Sequence, residues 1–186
     1  RGGDGGTATA GCDGNGGNGG DGAGGISLNY VNVDNFLIDN NEFVARSGEG
    51  TNAGNSGSDD DCNRGEYGGS IDALTVISGS GTNIEISNND LTASMGNAGH
   101  GSSGDCSGTS RGGDGDNGGD VDDLTGIASS GNVINNNLHD FYQGIAGNGG
   151  GADDGSGGDG GDVDKIYAIK SASKVSGNRI VNFRQG

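Results

Sequence analysis

Proline and tryptophan are both missing from these 186 residues, and basic side chains number only nine against 26 acids, for a formal net charge of −17. Each shortage excludes something. Phosphate recognition wants clustered Lys and Arg, so nucleic acid is not an expected partner. Anionic membrane surfaces are disfavoured for the same reason. No apolar run approaches the roughly 20 residues of a membrane span, so no membrane insertion is expected. No Asn-x-Ser/Thr triplet occurs, so N-linked glycans of that kind are not expected. Without proline, the 46 glycines cannot belong to a collagen helix. Hydrophobic residues make up only 28%, and that figure combined with high net charge is the usual signature of a chain too polar to bury a core. The chain opens on Arg1, with neither an initiator Met nor a signal peptide, which suggests a processed product or an excised fragment.

What is present argues for order. One phrase returns four times: Ile38-Asp39-Asn40-Asn41-Glu42-Phe43, Ile86-Ser87-Asn88-Asn89-Asp90-Leu91, Val133-Ile134-Asn135-Asn136-Asn137-Leu138 and Val175-Ser176-Gly177-Asn178-Arg179-Ile180. The intervals from Asn41 to Asn89, Asn136 and Asn178 are 48, 47 and 42 residues, a period that marks a stacked repeat. A solenoid needs only a thin core, because each repeat buries its apolar face on its neighbours. Each repeat opens on a glycine pair (Gly24-Gly25, Gly68-Gly69, Gly118-Gly119, Gly160-Gly161). A short strand follows at Leu28 to Val31, Leu74 to Ile77, Leu124 to Ile127 and Ile166 to Ile169. A turn and a second alternating strand come next, as in Ile84-Glu85-Ile86. Asn then closes a corner, where it suits a left-handed backbone and can bond to the next coil. A final apolar residue (Phe43, Leu91, Leu138 or Ile180) turns inward.

This Asn-corner phrase resembles that of the right-handed parallel β-helix repeat proteins, the group that includes pectate-lyase-like folds. The expected fold is therefore an all-β, right-handed parallel β-helix of about four coils, forming one domain over 1–186. The repeats fall near 24–45, 68–93, 118–141 and 160–183. The resemblance implies that Asn41, Asn89, Asn136 and Asn178 stack as a structural ladder, with Ile38, Ile86, Val133 and Val175 stacked inside.

Glycine-rich excursions separate the repeats, over 1–23, 46–67, 94–117 and 147–159. Many of their glycines recur every third residue, as in Gly112, Gly115 and Gly118, or Gly155, Gly158 and Gly161. Two readings stay open: polyproline II segments with a glycine edge that another backbone can approach, or flexible linkers. Cys12, Cys62 and Cys106 each lie in an excursion. They are either isolated thiols or candidates for one disulfide plus a leftover cysteine, as in a secreted chain. Their spacing is too wide for a compact zinc site.

The acids supply the candidate metal site. Asp114, Asp116, Asp120, Asp122, Asp159, Asp162 and Asp164 crowd carboxylates near backbone carbonyls, an oxygen-rich setting suited to calcium as cofactor. Gly112 to Asn117 looks like one unit of a calcium-binding β-roll nonapeptide. The alternative is solvated charge. No catalytic or cofactor-binding residue is singled out: His100 and His139 lie in different settings, and no carboxylate pair stands apart as a glycosidase would require. Basic residues that could neutralise an acidic sugar (Lys165, Lys170, Lys174, Arg179, Arg184) occur together only in the last repeat. The expected function is therefore an extracellular or cell-surface structural protein, a subunit of a filament, sheath, surface layer or adhesive fibre. Its expected partners are copies of itself, joined end to end. The alternative is a glycan-binding or glycan-cleaving β-helix.

Overall fold

The computed structural model describes residues 18–54, 67–102, 117–151 and 156–186. Among these, twelve strands repeat a three-strand coil four times. Coil 1 holds β1 (Gly25–Asp34), β2 (Leu37–Asp39) and β3 (Glu42–Arg46); coil 2 holds β4 (Leu74–Thr82), β5 (Glu85–Ser87) and β6 (Asp90–Ser94). Coil 3 holds β7 (Leu124–Ser129), β8 (Asn132–Ile134) and β9 (Asn137–Tyr142); coil 4 holds β10 (Ile166–Lys170), β11 (Lys174–Ser176) and β12 (Arg179–Arg184). Equivalent strands pair in parallel, giving three four-stranded sheets, β1-β4-β7-β10, β2-β5-β8-β11 and β3-β6-β9-β12. The fold is an all-β parallel β-helix of about four coils.

Three strands per coil is one more than the sequence pattern suggested. The residue read as a lone inward-turning apolar side chain is the second position of a third strand. Phe43 and Ala45 alternate inward there while Val44 faces out, 57% exposed. The weakness of that signal is steric, because the second inward position is only alanine in coils 1 and 2.

Register is continuous through the corner. Ile38, Ile86, Val133 and Val175 pair in one column, and Phe43, Leu91, Leu138 and Ile180 in another. Facing columns compensate in size. Ala45, Ala93, Phe141 and Phe183 share a column, with the two Phe rings stacked 4.5 Å apart. Where the Phe141 ring intrudes, the opposite strand carries Gly126, whose added Cβ would sit 3.2 Å from that ring and 2.8 Å from Leu138. One coil earlier, where Ala93 leaves room, the strand carries the fully buried Val76. Tyr30 leans across Gly79 so that its hydroxyl meets the Ser129 hydroxyl two coils away, 2.5 Å apart in the interior. Coils 3 and 4 each carry one extra residue in the third sheet, absorbed as a bulge at Asp140 and Asn182, both left-handed at φ 54°.

The fourth side of each coil is a glycine flank. Its amides donate with a period of three. Gly19, Gly22 and Gly25 bond to carbonyls of Tyr67, Ser70 and Ala73; Gly68, Ile71 and Leu74 bond to those of Asn117, Asp120 and Asp123. Gly118, Val121 and Leu124 continue to Asp159, Asp162 and Lys165. Segments leaving and entering the coils also interleave, so one amide chain runs from Gly161 through Gly147, Gly119, Gly99, Gly69 and Thr51 to Gly20. Threefold donors reaching neighbours on more than one side are the hydrogen bonding of packed polyproline II-like segments. The stems of the excursions are therefore an ordered layer rather than linkers.

Candidate functional site

The corner divides two tasks that the sequence reading had assigned to one asparagine. The left-handed residue is the one before: Asn40, Asn88 and Asn135 at φ 53–57°, and Gly177 at 65°. That turn frees the following Asn side chain to run along the axis. Asn89 Oδ1 accepts the Asn41 amide N–H at 2.9 Å, Asn136 Oδ1 that of Asn89 at 3.0 Å, and Asn178 Oδ1 that of Asn136 at 2.8 Å. The carboxamide nitrogens donate to Ile38, Ile86 and Val133 carbonyls one coil earlier. Asn89 and Asn136 are buried, and each closes a polar column that would otherwise leave backbone groups unpaired.

On the flank, Asp120, one of the acids proposed as metal ligands, shares a similar arrangement with other side chains. Asp21 Oδ1 accepts the Ser70 amide at 2.9 Å, Asp120 Oδ1 that of Asp162 at 2.8 Å, and Asp123 Oδ1 that of Lys165 at 3.1 Å. Asn117 Oδ1 serves Asp159 in the same way at 2.9 Å. These side chains fill the third register of the threefold segments, whose amides neither neighbouring backbone reaches. Asp120, Asp159 and Asp162, with Asn18, Asp21, Tyr67, Ser70 and Asn117, line an open, glycine-floored groove of about 840 Å³ across all four coils. Asp122 lies beside Asp164, Asp72 and Asp120. Burial first, then the charge of those three neighbours, pushes its carboxyl above the usual range. Among the described residues, no three His, Cys, Asp or Glu side chains converge to hold a metal ion. Asp114 and Asp116, and all of Cys12, Cys62 and Cys106, lie outside the described residues.

Two features had no counterpart in the sequence reading. Gln143 is wholly buried and donates to the Asp122 carbonyl at 2.7 Å, while Gln185 does the same to Asp164 one coil on. Each thus fastens the end of the third sheet to the flank, and a single polar residue after a strand gives no periodic signal of this. The second is His139, whose Nε2 lies 2.6 Å from Asp90 Oδ1 and whose Nδ1 lies 2.9 Å from Asp140 Oδ2. The bond to Asp140, reinforced by that to Asp90 against some burial, raises the imidazole above its ordinary value. His139 and Asn182 in turn hold Asp140 below the usual carboxylate range. The group is a surface clasp between coils 2 and 3.

The coil 4 end of the solenoid differs most from its middle, for in coil 1 Tyr30, Ile38 and Ala45 are buried. Val133 and Leu138 are fully buried in coil 3, yet Val175 and Ile180, their partners in coil 4, are 53% and 45% exposed. No described residue of coil 4 is buried. From Ile166 to Arg184 that coil carries four bases and no acid, whereas coil 1 from Gly25 to Arg46 carries three acids and one base. Comparisons with protein-family models, with curated proteins and with solved structures give no match.

Proposed function

We propose that the chain is an extracellular structural protein, a β-solenoid subunit of a filament, sheath, surface layer or adhesive fibre that extends by end-to-end stacking. The observation that carries this reading is the exposure at coil 4 of the columns that coils 2 and 3 bury. Parallel edge strands with apolar residues beside them are a template for pairing with another chain. Each added coil buries the face of the one before it, which is how repeat architectures gain stability. Electron microscopy of the purified chain should show fibres lengthening with concentration, with a sedimentation coefficient that rises in parallel. A protein that stays monomeric at high concentration would sink the reading.

A glycan-binding or glycan-cleaving solenoid, akin to pectate-lyase-like proteins, is the second reading. The polar groove, with Tyr67 at its rim 46% exposed, is the observation that favours it. Oligosaccharide shifting the NMR signals of Tyr67 and Asn117 in a non-assembling chain would bring it forward.

A further inference from the structure

We infer that the surface covering the coil 4 end is the coil 1 end of a second copy, joined head to tail in unbroken register, with Arg179 of one copy set against Glu42 of the next. The inference rests on the stacking reading and adds its partner, polarity and register.

Three observations on different sides of the coil agree. The first is charge. Glu42, Asp90, Asn137 and Arg179 form one column of the third sheet, acidic at the coil 1 end and basic at the coil 4 end. Arg179 already donates to Asn137 Oδ1 at 3.0 Å, so its guanidinium sits in the column rather than away from it. Opposing two coil 4 ends would set four bases against four, and opposing two coil 1 ends would set acids against acids. Like charges brought together in this way select against both symmetric pairings. Arg184 does not share the role, because its column runs through Tyr142 and Ser94 to Arg46. It faces Asp140 instead and helps hold that carboxyl low.

The second is the amide row of the flank. Every third amide of a coil donates to the next coil, from Gly19, Gly22 and Gly25 onward. Continued by one step, the row ends in the amides of Gly160, Val163 and Ile166 at coil 4. The matching acceptors at the other end are the carbonyls of Asn18, Asp21 and Gly24. Head-to-tail contact joins that donor row to its acceptor row, and it continues the return bonds from the Asp72, Asp122 and Asp164 amides to the Gly22, Ile71 and Val121 carbonyls.

The third is the Asn ladder, in which each coil's Asn Oδ1 accepts the amide of the coil before it. The ladder therefore offers Asn41 Oδ1 at one end and the Asn178 amide at the other, and only the head-to-tail junction connects them. The exposed Val175 and Ile180 would then lie over the columns of Ile38, which is itself buried, and the half-buried Phe43. A contact between two different faces does not close on itself, so growth is open and polar.

The test is a charge swap in the full chain, read as the concentration at which fibres form. Arg179→Glu and Glu42→Arg should each raise that concentration at least tenfold. The double variant, and an equimolar mixture of the two single variants, should recover most of the loss. Both positions lie on the outer face, and circular dichroism melts will confirm folding. Arg179→Gln and Glu42→Gln serve as milder substitutes should either reversal unfold the chain. Recovery in the double variant supports the register. Fibres indifferent to both reversals, or a double variant no better than the singles, would overturn it while leaving stacking intact. A wild-type chain that never assembles would overturn the stacking reading itself.

Discussion

The strand wall and the glycine flank share one axial repeat but hold together by opposite means. In the wall, columns of Ile, Val, Leu and Phe fill an interior where size is matched across the gap, as between Phe141 and Gly126. Apolar area removed from water stabilises it, at about 25 cal/mol per Å². The flank has little such area. Its passes approach so closely that a Cβ added to Gly147 would lie 1.8 Å from the Gly99 carbonyl oxygen. Backbone amides in three registers, two donating to neighbouring passes of the chain and one to side-chain oxygens, take the place of a core. A chain can thus be poor in hydrophobic residues and still ordered along a flank that needs few of them, such as the buried Ile71 and Val121.

The contrast predicts that the wall is broken by removing atoms and the flank by adding one. Phe141→Ala, which empties a fully buried site beside Phe183 and Gly126, should cost roughly 3–5 kcal/mol in urea unfolding. Phe183→Ala, at the half-buried end of the same column, should cost clearly less, and equal losses would contradict the view that coil 4 is an uncovered edge. Next in size, Gly147→Ala adds a single methyl where a backbone oxygen stands, and should destabilise by about 1–3 kcal/mol, as overpacking does. A neutral result there would mean that the flank is looser than its hydrogen bonds indicate.

The smallest effect belongs to the clasp at His139, which is polar, exposed and screened by salt. Its folded-state imidazole is raised, so its contribution is fully present below the ordinary histidine value near 6.5 and is lost as pH rises through the raised one. Asp140 is lowered, so its share fades only as acid protonates it below the ordinary aspartate value. The difference in melting temperature between the wild type and His139→Ala should therefore be largest near about pH 5 and shrink toward about pH 9. A flat difference across that range would remove the charge from the account.

The sequence disclosed the wall better than the flank, for a physical reason. Apolar residues alternating beside a recurring Asn pair can be read by period, since inward positions and a left-handed turn each restrict residue type. The third strand was missed because Ala45 and Ala93 are too small to mark an inward position. That Asp120 accepts the Asp162 amide could not be read, because nothing in a sequence shows which backbone amide lies across from a carboxylate one coil away. Threefold glycine spacing left packed segments and linkers both open, and it held no sign of the interleaving, which depends on passes far apart in the chain.

That interleaving also bears on how such a chain folds. The amide row joins passes far apart in the chain, as at Ala53 to His100 and Gly101 to Asn148. Such bonds form only once loops of that span have closed, and non-local pairing slows folding. The flank is in this sense a seam whose stitches span whole coils.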